Sequence, residues 1–165
     1  MRLGSVGGPF IELRPVRYQF PGNAGDGRGR DWDANWLVVR GDIRTADGRS
    51  WTFEDPWLTT WEARALGLWL RGVVSGETLP TPFDGSKDER LLVFTEPNVA
   101  LSLEERTDNS ALIRVHLSLE AGPPWLRGKA GPDIFEYFVV IGVPLNRVTA
   151  AVDDWDQELA SFPER

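Results

Sequence analysis

His116 is the only histidine in the chain. It stands on the polar side of an alternating stretch with Arg114 and Ser118. A general base needs an orienting partner and a nucleophile within hydrogen-bond reach. The sequence names neither, so His116 reads as a structural histidine, with a His116-dependent hydrolase as the rival. The absence of cysteine removes thiolate nucleophiles, disulfides and Cys-based zinc or iron–sulfur sites. Asp153, Asp154 and Asp156 fan around the outer side of a helix, whereas a hard cation wants converging oxygens. Glu54–Asp55 and Glu104–Glu105 are adjacent strand positions, which point to opposite sheet faces. A glycosidase pair instead faces itself across a cleft. The glycines at 22, 25, 27 and 29 run into a strand, whereas a phosphate loop opens a helix. These patterns predict no catalytic residue, no cofactor and no metal.

The elements that carry these residues follow from periodicity. Residues 1–9 are rich in glycine and read as a flexible leader to a single domain spanning 10–165. From Phe10 to Phe20 apolar residues alternate, slipping phase at Pro15, which marks an edge strand or a bulge. Residues 21–31 read as a loop. Strands at Trp36–Arg44 and from Trp51 form a hairpin turned at Asp47-Gly48. Thr59 and Glu62 fit a capping box. Behind it Trp61, Ala65, Trp69 and Val73 make a helical stripe that stops at Gly76. After a loop over 77–89, strands are predicted at Arg90–Thr95, Val99–Arg106, Ala111–Leu119 and Ile134–Val143. The last reads as the most buried, because both its faces are apolar. Leu145, Val148, Val152, Trp155, Leu159 and Phe162 form a second amphipathic helix, closed by Pro163. The order βββ-α-ββββ-α predicts an α+β fold: a largely antiparallel sheet of about seven strands packed with two helices.

Composition narrows the partners. The chain has 165 residues and a net charge of −7, with residues 1–50 at +2 and residues 51–165 at −9. An acidic face disfavours nucleic acid and anionic lipid and favours basic proteins. The longest apolar run, Phe138–Val143, is too short to span a bilayer, and residues 1–8 contain no apolar signal region. A cytoplasmic protein is expected.

Several segments in order resemble one family. They are Ile11-Glu12-Leu13-Arg14-Pro15 with Tyr18-Gln19-Phe20-Pro21, and Asp31-Trp32-Asp33-Ala34-Asn35-Trp36-Leu37-Val38-Val39. They continue with Trp51-Thr52-Phe53-Glu54-Asp55-Pro56, Leu58-Thr59-Thr60-Trp61-Glu62 and Phe94-Thr95-Glu96-Pro97-Asn98. Pro123-Pro124-Trp125 and Phe162-Pro163-Glu164-Arg165 complete the set. Together they resemble the WapI-type immunity proteins, antitoxins paired with the C-terminal toxin domains of large bacterial wall-associated, contact-dependent toxins. Trp57 stands where that family often has a cysteine. The resemblance implies a non-enzymatic inhibitor that binds a cognate basic toxin domain, typically a nuclease, one to one. The motif residues read as scaffold. The toxin-facing surface is expected in the acidic stretch Asp84, Asp88, Glu89, Glu104, Glu105 and Asp108, with Asp153, Asp154, Asp156 and Glu158 as the alternative face. Two rival readings remain. One is a small-ligand module using Trp32, Trp57 or Trp125; the other is a structural or assembly domain.

Overall fold

The computed structural model describes residues 1–5, 7–20, 22, 31–81, 90–126 and 132–165. The architecture is α+β with seven antiparallel strands, as the periodicity predicts, but the strands divide four and three between two sheets instead of forming one, and a short third helix is added. The first sheet has the order β1 (Arg2–Gly4), β2 (Phe10–Tyr18), β3 (Trp36–Arg44), β4 (Ser50–Thr59); a four-residue helix α1 (Trp32–Asn35) precedes β3. The second has β5 (Val99–Arg106), β6 (Ser110–Leu117) and β7 (Phe138–Pro144). The long helices are α2 (Thr60–Ser75) between the sheets in sequence and α3 (Leu145–Leu159) at the end.

Three strand expectations change. Arg2–Gly4 are not loose: they pair with Glu12, Ile11 and Phe10. Met1 and Leu3 are buried in the core, and that apolar burial overrides the conformational freedom of the neighbouring glycines. Arg90–Thr95 is not a strand among the described residues; Leu92 alone forms a bridge, to Leu101. Residues 134–136 form a turn, and β7 starts only at Phe138. β7 is an edge strand with alternating burial, and the deeply buried strands are β5 and β6. The phase slip at Pro15 is a bulge against Val39 and Val38.

The helix signals act as expected. Thr59 Oγ1 accepts from Glu62 N and Glu62 returns a bond to Thr59 N, closing the capping box. Glu62 then uses its other oxygen to accept from Thr95 N and Oγ1, both at 2.7 Å, which ties α2 to the segment entering β5. At the other end Gly76 takes φ +86°, a left-handed turn that suits glycine. The Arg106 guanidinium donates to the carbonyls of Val73 and Val74, satisfying helix-end acceptors. The apolar stripes of α2 and α3 meet, and Trp155 donates its indole N–H to Ala63 O at 2.7 Å. Residues of both sheets and both long helices form one core. No helix of the described residues is long and apolar enough to cross a membrane.

Candidate functional site

The feature that collects charge is an open cleft of about 450 Å³ where the two sheets meet. Gln19 and Phe20 follow β2, Asp33 lies in α1 and Trp36 starts β3. Asp55 and Pro56 come from β4, Glu96 from the turn before β5, and Glu120 from a 3-10 turn after β6. Among the described residues that line it, Asp33, Asp55, Glu96 and Glu120 are acidic and none is Lys or Arg.

Each wall has a local cause. Asp31 caps α1 by accepting from Ala34 N at 3.1 Å, which sets the turn carrying Asp33. Asn35, fully buried, binds Asp31 O, Thr60 Oγ1 and the backbone of Arg165, so α1 is locked to α2 and the chain's last residue. Gln19 N donates to Trp36 O, keeping β2 and β3 together at the cleft edge. A register shift between Leu37 and Val38 sets Pro56 against Val38 and Asp55 against Val39. On the other wall Ser118 N donates to Asn98 O, and Ser118 Oγ donates to Pro97 O. Leu119 follows with φ +48°, the described non-glycine residue in the left-handed region.

Asn98 joins the walls. It is buried, and its side-chain amide donates to Asp55 Oδ2 at 3.2 Å and to Glu120 Oε2 at 3.4 Å. Burial pushes the Asp55 carboxyl above its ordinary range, and the nearby Glu120 and Glu96 charges push the same way against the Asn98 hydrogen bond. Such a site gains when a cation enters, because the cation relieves like-charge repulsion. The paired carboxylates with Phe20 and Trp36 beside them suit a lysine or arginine side chain.

The acids expected from sequence are placed differently. Asp84, Asp88 and Glu89 lie outside the described residues. Glu104 sits at a bulge in β5 and pairs with the buried Arg114 at 3.2 Å; Arg114 also donates to Thr81 O. Glu105 and Asp108 are exposed at the far end of β5 from Glu96. On α3, Asp153 and Asp156 both pair with Arg71 of α2, and Glu158 pairs with the Met1 amine at 3.0 Å. Asp154 is exposed. Three of the four α3 acids are thus engaged in ion pairs within the fold.

Sequence reasoning missed Asp33, Glu96 and Glu120, and treated Asp55 only as half of a split pair. Their wide separation along the chain hid the cluster. A signal was present: Asp33, Asp55 and Glu96 fall inside segments that carry the family resemblance, there read as scaffold.

His116 is fully buried. Its Nδ1 donates to Ile134 O at 3.0 Å, so its Nε2 accepts from Ser102 Oγ at 3.0 Å. The pair has the spacing of a nucleophile and base, but Ser102 is also fully buried, so neither atom meets solvent. Trp57 is in the core. Trp32 and Trp125 are half exposed, and none of the three lines the cleft. Among the described residues no group of three or more His, Asp and Glu side chains could hold a metal ion.

Comparison with known proteins agrees with this reading of the segments. The model of the immunity protein WapI-like family matches residues 2–163. No curated protein matches the chain.

Proposed function

The chain belongs to the immunity protein WapI-like family, and from that premise we propose that it neutralises a cognate bacterial toxin domain by one-to-one binding, without catalysis. The observation that carries the mode of binding is the cleft lined by Asp33, Asp55, Glu96 and Glu120. A toxin that cuts nucleic acid must present cations to a polyanion. An acidic cleft can occupy those cations, exclude the substrate and speed encounter by steering. Glu104, Glu105 and Asp108 lie toward the other end of β5 and, with Asp84, Asp88 and Glu89 of the sequence, add to the net negative charge that steers a basic partner. The Asp153, Asp154, Asp156 and Glu158 face contributes less, because Arg71 and the Met1 amine balance half of its four charges. Such an inhibitor works in the cytoplasm, where the nucleic acid is.

The experiment is co-expression. The C-terminal domain of the large secreted protein encoded beside this gene is produced in a host cell with and without this chain. Restored growth and a one-to-one complex on purification support the reading. A toxic neighbour that is neither bound nor neutralised overturns it.

A further inference from the structure

Two half-exposed tryptophans connect to the acidic cleft, Trp32 as the chain neighbour of Asp33 and Trp125 through Trp51, and each meets a second indole. Trp32 is 50% exposed and immediately precedes Asp33; its ring meets Trp61 edge-on at 4.8 Å and 90°. Trp125 is 41% exposed and meets Trp51 edge-on at 5.2 Å and 83°. Trp51 in turn donates its indole N–H to Ala121 O at 2.9 Å, next to Glu120 of the cleft. The Arg49 guanidinium lies 4.3 Å from the Trp125 ring centroid, and Asp47 holds that guanidinium at 2.7 Å. Leu119, beside Glu120, and Phe20, in the cleft wall, are also about two-fifths exposed.

Exposed indoles usually fold back or move. These are fixed by edge contacts, so little side-chain entropy remains to be lost on binding. Large aromatics beside charge that becomes desolvated on binding are the composition of interface hot spots. The charge between them selects the occupant: a protein surface with basic side chains set in an apolar surround.

We propose that Trp32 and Trp125 are the affinity-determining anchors for the toxin domain, acting with the acidic cleft that steers and orients it. The proposal rests on the functional reading above. It divides the labour: the carboxylates act on association and the indoles on dissociation.

The test uses the full chain and the neighbouring toxin domain in inactivated form, with binding followed by surface plasmon resonance. Trp32→Ala and Trp125→Ala are each expected to raise the dissociation rate about thirtyfold or more, the level of a hot-spot residue. Their association rates stay within about threefold of the wild type, as is usual for uncharged changes. Leu68→Ala, which removes an exposed apolar side chain from α2, serves as the control and leaves both rates unchanged. Oxidative footprinting of the wild-type chain supplies a measurement independent of any folding defect. Trp32 and Trp125 should become protected in the complex. If the wild-type chain binds but both indoles stay open to oxidation, or both variants dissociate like the wild type, the anchor proposal is overturned while the immunity reading stands. If the wild-type chain neither binds nor protects, the immunity reading itself falls, and the proposal with it.

Discussion

Asn98 donates its side-chain amide to Asp55 Oδ2 at 3.2 Å, across the join between the two sheets. The same amide reaches Glu120 Oε2, so one buried donor keeps two carboxylates close that would otherwise repel. Asp55 therefore carries its charge at a cost, set by burial and the neighbouring carboxylates, that an incoming cation can relieve.

Removing that donor tests the arrangement. Asn98→Ala is expected to destabilise the chain by about 1–3 kcal/mol, the cost of leaving buried polar groups without a partner. Urea unfolding would read the loss as a lower midpoint at unchanged slope. An unchanged midpoint would show that the amide does not hold the walls together.

Asp55→Asn should act in the opposite sense. The folded Asp55 carboxyl titrates above its unfolded value of 3.8. Between those two values the folded chain holds the extra proton, so stability falls as pH rises through that window. At neutral pH the full penalty is present, and the amide removes it. The variant should be more stable at about pH 7, by less than about 1 kcal/mol because the site is partly solvated. The gain should vanish near pH 3, below the unfolded value. The same variant should associate more slowly with the toxin domain, most visibly at low salt. A variant that is less stable at neutral pH would contradict the assigned repulsion.

The α3 acids offer a contrast. Asp153→Asn with Asp156→Asn frees Arg71 and should cost up to about 1 kcal/mol, as exposed ion pairs do. Toxin affinity should stay within about threefold. A loss of more than tenfold in affinity, with the fold intact by circular dichroism, would move the interface to α3.

Ser102→Ala separates binding from catalysis. It removes the hydroxyl that His116 Nε2 accepts from and should cost about 1 kcal/mol in thermal or chemical unfolding. Rescue of growth in the co-expression assay should be undiminished. Loss of rescue by a variant that remains folded and still binds the toxin domain would revive a hydrolase reading.

The helices were legible because their information is local. The Thr59–Glu62 box, the Gly76 stop and the four-residue stripe of tryptophan, alanine and valine all lie within a few turns of one another. The hairpin of β3 and β4 and the slip at Pro15 were legible for the same reason. The leader and the segment 90–95 were not. Arg2–Gly4 became a strand only because Met1 and Leu3 find a core made by distant residues, and among the described residues Leu92 forms a single bridge, to Leu101. β7 looked doubly buried because Phe138, Val140 and Gly142 alternate with valine and isoleucine. An apolar side chain on an edge strand, however, can stay partly exposed.

By itself, the sequence determined the α+β class, the two amphipathic helices, the lack of any thiol chemistry and, through ordered segments spread over the chain, the family. Those properties depend on composition and on spacings of a few residues. The tertiary structure decided which acids act together. Asp33, Asp55, Glu96 and Glu120 are far apart in the chain and meet only where the two sheets close. Asp153, Asp156 and Glu158 look like a surface cluster until Arg71 and the Met1 amine are brought against them. Electrostatic energy depends on distance and burial in space, and a charge pattern read along the chain contains neither.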